Sequence, residues 1–257
     1  NAFGYKLPQF IHLPMILGSD GARLSKRHGA MNILEYKQQG FLPEAMLNYL
    51  ARLGWSSGDQ EIFSFKELVE KFDLTNINKS SARFDAEKLQ WVNQQHLSSL
   101  DNQKLSELLA EQAAKEGIEL PSMEKMLLFS EAFKSRVDNL NDLLNNAYSL
   151  FSEKIVIEEK VAKKNLKPVI LEPLKDLVYE FKETTWIKEN IHDVIEKICK
   201  KHQIGFGKIG QPLRVAVTGN TVSPPIDVTL ALLEKEVVAL RLKTAIEYIE
   251  KRVLNSS

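Results

Sequence analysis

The chain has 257 residues, 44% of them apolar and 26% charged, enough to bury a core in about two compact domains. Its 34 basic residues balance 34 acidic ones, so the zero net charge excludes a protein that coats nucleic acid through bulk charge, while a local basic face stays open. Cys199 is the only cysteine, which excludes internal disulfides and a thiolate zinc cluster; with no run of 18 apolar residues and no leader pattern, a soluble cytoplasmic protein is expected.

Phe10 to Leu17, broken by His12 and Pro14, is predicted to be a strand leaving a core. Gly18 to Gly21 follows as a tight turn, with Asp20-Gly21 its strongest pair. Arg23, Lys26 and Arg27 then bring three cations within five residues, and Gly29 lies just beyond. A loop bounded by glycines can move and can bring its backbone close to a ligand. Cations on such a loop suit a polyanion whose charge grows during reaction. By itself, a short basic run is more often solvated surface. Because Asn1 to Tyr5 runs almost directly into the strand, the chain reads as part of a longer one, cut just upstream of the last core strand of a nucleotide-binding fold.

From Met31 to Trp55 the apolar spacing turns helical, with Pro43 opening a second helix and Gly54 closing it. Phe63 to Phe72 predicts another helix, with Ser64 and Glu67 as a capping box and Phe65, Leu68, Val69 and Phe72 on one face. Asn76 to Ala82 reads as loop, and Asp85 caps a helix that ends near His96. Trp55 and Trp91 read as core. Further helices follow before Gly117, over Met123 to Phe133, Arg136 to Phe151, Val156 to Leu166, Leu174 to Phe181 and Trp186 to Lys201, and two more lie between Asp227 and Val253. Thr184 or Thr185 is predicted to cap the Trp186 helix, and Trp186 and Ile187 to point inward. Pro168 to Pro173 predicts a subdomain boundary, and His202 to Gly210 reads as loop. Propensity alone makes Leu213 to Thr218 a strand. The five histidines show no metal spacing, and no metal is assigned.

Leu24-Ser25-Lys26 between Arg23 and Arg27, preceded by Pro14-Met15-Ile16-Leu17 and Asp20-Gly21 and followed by His28-Gly29, resembles the KMSKS-type signature of class I aminoacyl-tRNA synthetases. With this surround it is similar to the bacterial-type glutamyl-tRNA synthetase. The similarity continues through Gly40-Phe41-Leu42-Pro43-Glu44-Ala45, Asn48-Tyr49-Leu50, Leu53-Gly54-Trp55, Phe84-Asp85, Lys88-Leu89 and Trp91. Gly207-Lys208, Gln211-Pro212-Leu213-Arg214, Thr218-Gly219 and Ser223-Pro224 carry it to the C-terminal end. Three positions depart from the generic motif: Arg23, Leu24 and Arg27 stand for its first Lys, its Met and its last Ser. Arg23 keeps the charge but replaces a point charge with a planar fork.

The resemblance implies a mainly α chain: the end of a Rossmann-type catalytic domain over 1–30, a helical stem-contact domain over 31–99, and an all-α anticodon-binding part over 100–170 and 171–257. It therefore overrides strand propensity at Leu213 to Thr218, which becomes helix or coil. It implies ATP, accompanied by Mg2+, and L-glutamate as substrates of the full enzyme. The RNA partner is tRNA for glutamate, with tRNA for glutamine an open alternative, and a monomer is the family expectation. Lys26 is implied to reach the ATP phosphates, with Arg23, Leu24, Ser25 and Arg27 shaping the loop. Arg214, and more loosely Arg136 in Arg136-Val137-Asp138-Asn139-Leu140, match anticodon-contacting arginines. Lys197, Lys200, Lys201 and Lys208 could supply phosphate contacts. The chain holds no HIGH-type His-x-Gly-His run, so the polypeptide alone is predicted not to aminoacylate tRNA. A free-standing helical tRNA-binding module is the competing reading. A queuosine-glutamylating paralogue lacks the anticodon part, and a glutaminyl enzyme builds it from β-barrels, so both are disfavoured.

Overall fold

The structure is a computed structural model that describes residues 4, 10–28, 32–152 and 155–255. Asn1 to Phe3, Tyr5, Gly29 and Met31, which entered the sequence reading, lie outside them. The chain divides into two compact units, Asn1–Leu105 with Lys134–Leu143, and Ser106–Phe133 with Leu144–Ser257.

In the first unit, β1 (Ile16–Leu17) pairs in parallel with β2 (Ala82–Arg83), Ile16 opposite Ala82 and Leu17 opposite Arg83. The predicted strand from Phe10 contracts to these two residues, and Phe10, Leu13 and Met15 are exposed. A strand needs a neighbouring backbone to bond with, and Pro14 removes a donor just before the paired residues. Part of the predicted 76–82 loop, Ala82, joins β2.

Helix α1 (Ile33–Gln38) starts where the Asn32 side chain accepts the Leu34 amide. Helix α2 (Pro43–Gly54) opens on proline, whose missing N–H costs nothing in a first turn. The predicted capping box forms on α3 (Phe65–Lys71): Ser64 Oγ accepts from Glu67 N at 3.2 Å, and Glu67 Oε2 accepts from Ser64 N at 2.8 Å. Bonds from the Ser64 amide, the Ser64 hydroxyl and Gln60 hold the Glu67 carboxyl down to about 2. Of the apolar face read on α3, Leu68 is buried with Trp55 and Phe63, while Phe65, Val69 and Phe72 are exposed. Helix α4 (Ala86–Ser99) is capped by Asp85 as predicted, runs past His96, and packs on α2. Between them, Asn93 Oδ1 accepts the Leu42 amide at 2.8 Å and Asn93 Nδ2 donates to Asp138 O at 2.6 Å.

The remaining helices are α5 (Asn102–Glu116), α6 (Met123–Phe133), α7 (Leu140–Phe151), α8 (Glu159–Asn165), α9 (Leu171–Glu183), α10 (Lys188–Lys201), α11 (Phe206–Thr218), α12 (Ile226–Ala231) and α13 (Lys235–Leu254). Helix α7 starts at Leu140, later than predicted, because Asn139 Oδ1 accepts the Asp142 amide at 2.8 Å and sets the start there. Arg136 therefore sits in a 3-10 turn, Lys134–Arg136. Neither predicted threonine caps α10. Thr184 Oγ1 donates back to Glu180 O at 2.8 Å and ends α9, while exposed Ile187 precedes α10 without a side-chain cap. Residues 168–173 lie inside the second unit, where Pro168 opens a 3-10 turn running into α9 and α9 packs along α13. Propensity fails at 213–218, which is helical, and α11 also takes in 206–210 of the predicted loop. Val215 and Val217 are both fully buried, so packing outweighs their β preference. Gly219 ends the helix at φ 76, and a Cβ there would lie 2.6 Å from Val156 O. The mainly helical fold expected from the resemblance stands, with thirteen α-helices among the described residues.

Candidate functional site

The motif loop is built on β1. Gly18 N donates to Ala22 O at 2.8 Å and Gly21 N to Gly18 O at 3.0 Å, with Gly21 at φ 79, where a side chain would be strained. Asp20 Oδ1 accepts the Ala22 amide at 2.9 Å, and Leu24 N donates to Ile16 O at 3.0 Å. The turn thus returns the chain against its own strand, half-burying Leu24 and Ser25. Arg23, Lys26 and Arg27 are exposed, the last two in a 3-10 turn, Lys26–His28. All five predicted loop residues are consecutive on this one structure. Among the described residues, no carboxylate forms an ion pair with any of its three cations.

Sequence reasoning does not single out Arg83. The β1–β2 pairing brings its Nη2 to 3.8 Å from where a Cβ on Gly21 would stand, adding a fourth cation beside the turn. No local spacing signals a contact between segments so far apart in the chain.

Arg136, exposed, belongs to the first unit and Arg214, half-buried, to the second. Arg214 Nε donates to Ser223 Oγ at 2.8 Å, Nη1 to Gln211 Oε1 at 2.8 Å, and Nη2 reaches Pro224 O at 3.4 Å. The lysines foreseen as phosphate contacts are mostly engaged within the protein. Lys197 pairs with Glu180 at 2.7 Å, Lys200 with Glu196 at 3.3 Å and Lys201 with Asp176 at 2.6 Å. Lys201 and then His202, at 2.6 Å, hold the Asp176 carboxyl below the usual carboxylate range. Lys208 is exposed on α11. Among the described residues, no group of three His, Cys, Asp or Glu could hold a metal ion, and no helix is long and apolar enough to cross a membrane.

Residues 86–246 match the family model of an anticodon binding domain, and residues 1–91 that of the class I tRNA synthetase (E and Q) catalytic domain. A glutamate–tRNA ligase of Coxiella burnetii is 42% identical over 255 residues, 98% of this chain and 54% of the relative. One from Alkalilimnicola ehrlichii is 42% identical over 254 residues with the same coverage. The crystal structure of a glutamate tRNA ligase from Elizabethkingia meningosepticum, in complex with its amino acid, superposes with a TM-score of 0.85 at 30% identity, covering 96% of this chain and 53% of that one. The chain thus spans about half the length of the curated relatives it matches. With both family models matched in order along it, the chain belongs to the glutamate–tRNA ligase family of class I aminoacyl-tRNA synthetases.

Proposed function

We propose that this chain supplies the ATP-facing loop and the tRNA-reading helices of a glutamate–tRNA ligase. In the whole enzyme, glutamate attacks the α-phosphate of ATP, releasing pyrophosphate and forming glutamyl-adenylate, and the acyl group then passes to the tRNA 3′ end. The first step needs positioned charge more than a general base or covalent nucleophile. Lys26 is assigned to the ATP phosphates, with Arg23, Leu24, Ser25 and Arg27 shaping a loop that closes over them. Magnesium would arrive with the nucleotide and neutralise phosphate charge. Arg214 and Arg136 are assigned to the anticodon, whose unpaired bases can be splayed and read on their edges.

The functional division proposed is 1–30 for the end of the catalytic domain, 31–99 for stem contact, and 100–170 and 171–257 for anticodon binding. The partner is tRNA for glutamate, with tRNA for glutamine the second substrate to test, and the protein is assigned to the cytoplasm as a monomer. The observation that carries this reading is the exposed cationic loop folded back on a strand, followed by an all-helical unit.

Because the chain contains no His-x-Gly-His run, the polypeptide alone is inactive in this reading. Filter binding to tRNA transcripts with altered anticodons tests the RNA half: selective binding supports it, and equal binding to every transcript refutes it. ATP–pyrophosphate exchange tests the other half, since exchange by the isolated chain contradicts the division of labour. The same absence of that run favours a second reading, a helical tRNA-binding module that never does chemistry. Exchange that appears once the chain is extended to the length of its relatives, and disappears with Lys26→Ala, excludes it.

A further inference from the structure

Arg214 is held in a way its sequence position does not explain. Its Nε and Nη1 donate to Ser223 Oγ and Gln211 Oε1, both at 2.8 Å, and Nη2 faces Pro224 O at 3.4 Å. A hydroxyl has one hydrogen and two acceptor lone pairs. Ser223 therefore accepts from Arg214 and donates its own O–H to Pro224 O at 2.9 Å or Thr229 Oγ1 at 3.0 Å. Fully buried Thr229 donates in turn to Pro224 O at 3.2 Å or Pro225 O at 3.1 Å. The two prolines restrict φ at the turn, and buried Pro224 anchors it, so the platform behind the guanidinium is stiff.

Ser223, Gln211 and Pro224 hold three of its nitrogens and so fix the plane of the guanidinium. Such orientation matters only if something reads the plane of the fork. A planar arginine fork can pair two acceptors on a base edge at once, and a tilt breaks one of the two bonds. We infer that Ser223, backed by Gln211 and Thr229, is a positioning residue that aims Arg214 at the acceptor edge of an unpaired RNA base. The inference rests on the reading of Arg214 as an anticodon contact.

The test uses the 257-residue chain, a transcript of tRNA for glutamate, and transcripts with one anticodon base replaced at a time. The readout is the ratio of Kd values between altered and unaltered transcripts, with the thermal midpoint followed in parallel. Ser223→Ala is expected to shrink that ratio roughly fivefold at the base read by Arg214, the equivalent of about one lost hydrogen bond. Affinity for the altered transcript should hardly move, and Ser223→Thr, which keeps the hydroxyl, should restore the ratio. Gln211→Ala gives a second, independent loosening of the same fork and decides the matter if Ser223→Ala does not fold. Full discrimination in both loosened variants, alongside its loss in Arg214→Ala, overturns the positioning role and leaves the reading of Arg214 standing. Full discrimination in Arg214→Ala removes Arg214 from the site, and the inference with it.

Discussion

Asn48 Oδ1 lies 2.9 Å from His96 Nε2 inside the first unit and also accepts the Phe63 amide at 2.8 Å. A backbone amide can only donate, so the Asn48 atom facing it is the oxygen, and the proton on His96 sits at Nε2. Asn48 Nδ2 completes the set by donating to Glu61 O at 2.9 Å, tying α2, the 61–63 segment and α4 together. Burial pushes the His96 pKa below its ordinary 6.5, opposed in part by the charge of Glu44. A histidine with a depressed folded value contributes stability that is complete above its unfolded pKa and lost as pH falls through the folded one. Urea unfolding followed from pH 7 to pH 5 is expected to show falling stability in the wild type. His96→Gln keeps a donor toward Asn48 and should give a flatter profile; an unchanged slope would acquit His96.

Gly40 offers a sharp contrast between two glycines. At φ 82 its Cβ would meet Asn141 N at 2.6 Å and Leu140 N at 3.0 Å, both backbone, and Gly40 O accepts the Leu140 amide at 3.0 Å. Gly58 has φ 58, with nothing within 4 Å of a Cβ. Gly58→Ala is expected to cost about 1 kcal/mol, the left-handed penalty alone. Gly40→Ala adds a backbone clash and should cost about 2–4 kcal/mol in urea denaturation. Equal costs would mean that the Leu140 to Asn141 backbone yields without penalty.

What the residues disclosed in advance was mostly local. Ser64 with Glu67 and Asp85 before α4 are signals whose partners lie within three positions, and each forms as read. The errors come from competition over distance. Thr184 has a cap's chemistry, but the Glu180 carbonyl behind it takes the hydroxyl first. Val215 and Val217 favour a strand until they are packed on both sides of a helix in the second unit's core. At the candidate site, the order of the loop cations was legible. The approach of Arg83 and the clamp on Arg214 were not, because pairing across many intervening residues leaves no spacing to read.

The lysines of α10 carry a prediction about salt. A lysine that neutralises an RNA phosphate releases counterions, and each such contact changes the slope of log K against log salt by about 0.7 to 0.9. Lys197 and Lys201 already face Glu180 and Asp176 at 2.7 and 2.6 Å. Replacing both with Gln should leave the tRNA-binding slope unchanged, whereas Lys208→Gln should lower it by about one contact. A slope that drops by two contacts in the double variant would show that RNA displaces both carboxylates.

Arg241 sets the last prediction. It is 5% exposed on α13, and among the described residues no carboxylate pairs with it. Its Nη1 donates to Val217 O at 2.5 Å, and its Nη2 to Leu150 O at 3.0 Å and Ser152 O at 2.6 Å. Leu150 and Val217 lie in the last turns of α7 and α11 and Ser152 just past α7, where helix dipoles gather negative charge and no intrahelical donor remains. Burial lowers the Arg241 pKa, but a guanidinium has so much reserve that it stays charged. Arg241→Met fills similar volume and removes the desolvated charge, yet it strands three carbonyls, two buried and that of Ser152 half-buried. At about 1 kcal/mol or more for each unsatisfied group, offset by the relieved charge burial, the net loss should be about 2 kcal/mol. Arg241→Lys keeps the charge but cannot span both helix ends with one ammonium, so it should recover only part of that loss. Urea unfolding of the two variants decides it: a methionine variant as stable as the wild type would mean that these helix ends need no shared donor.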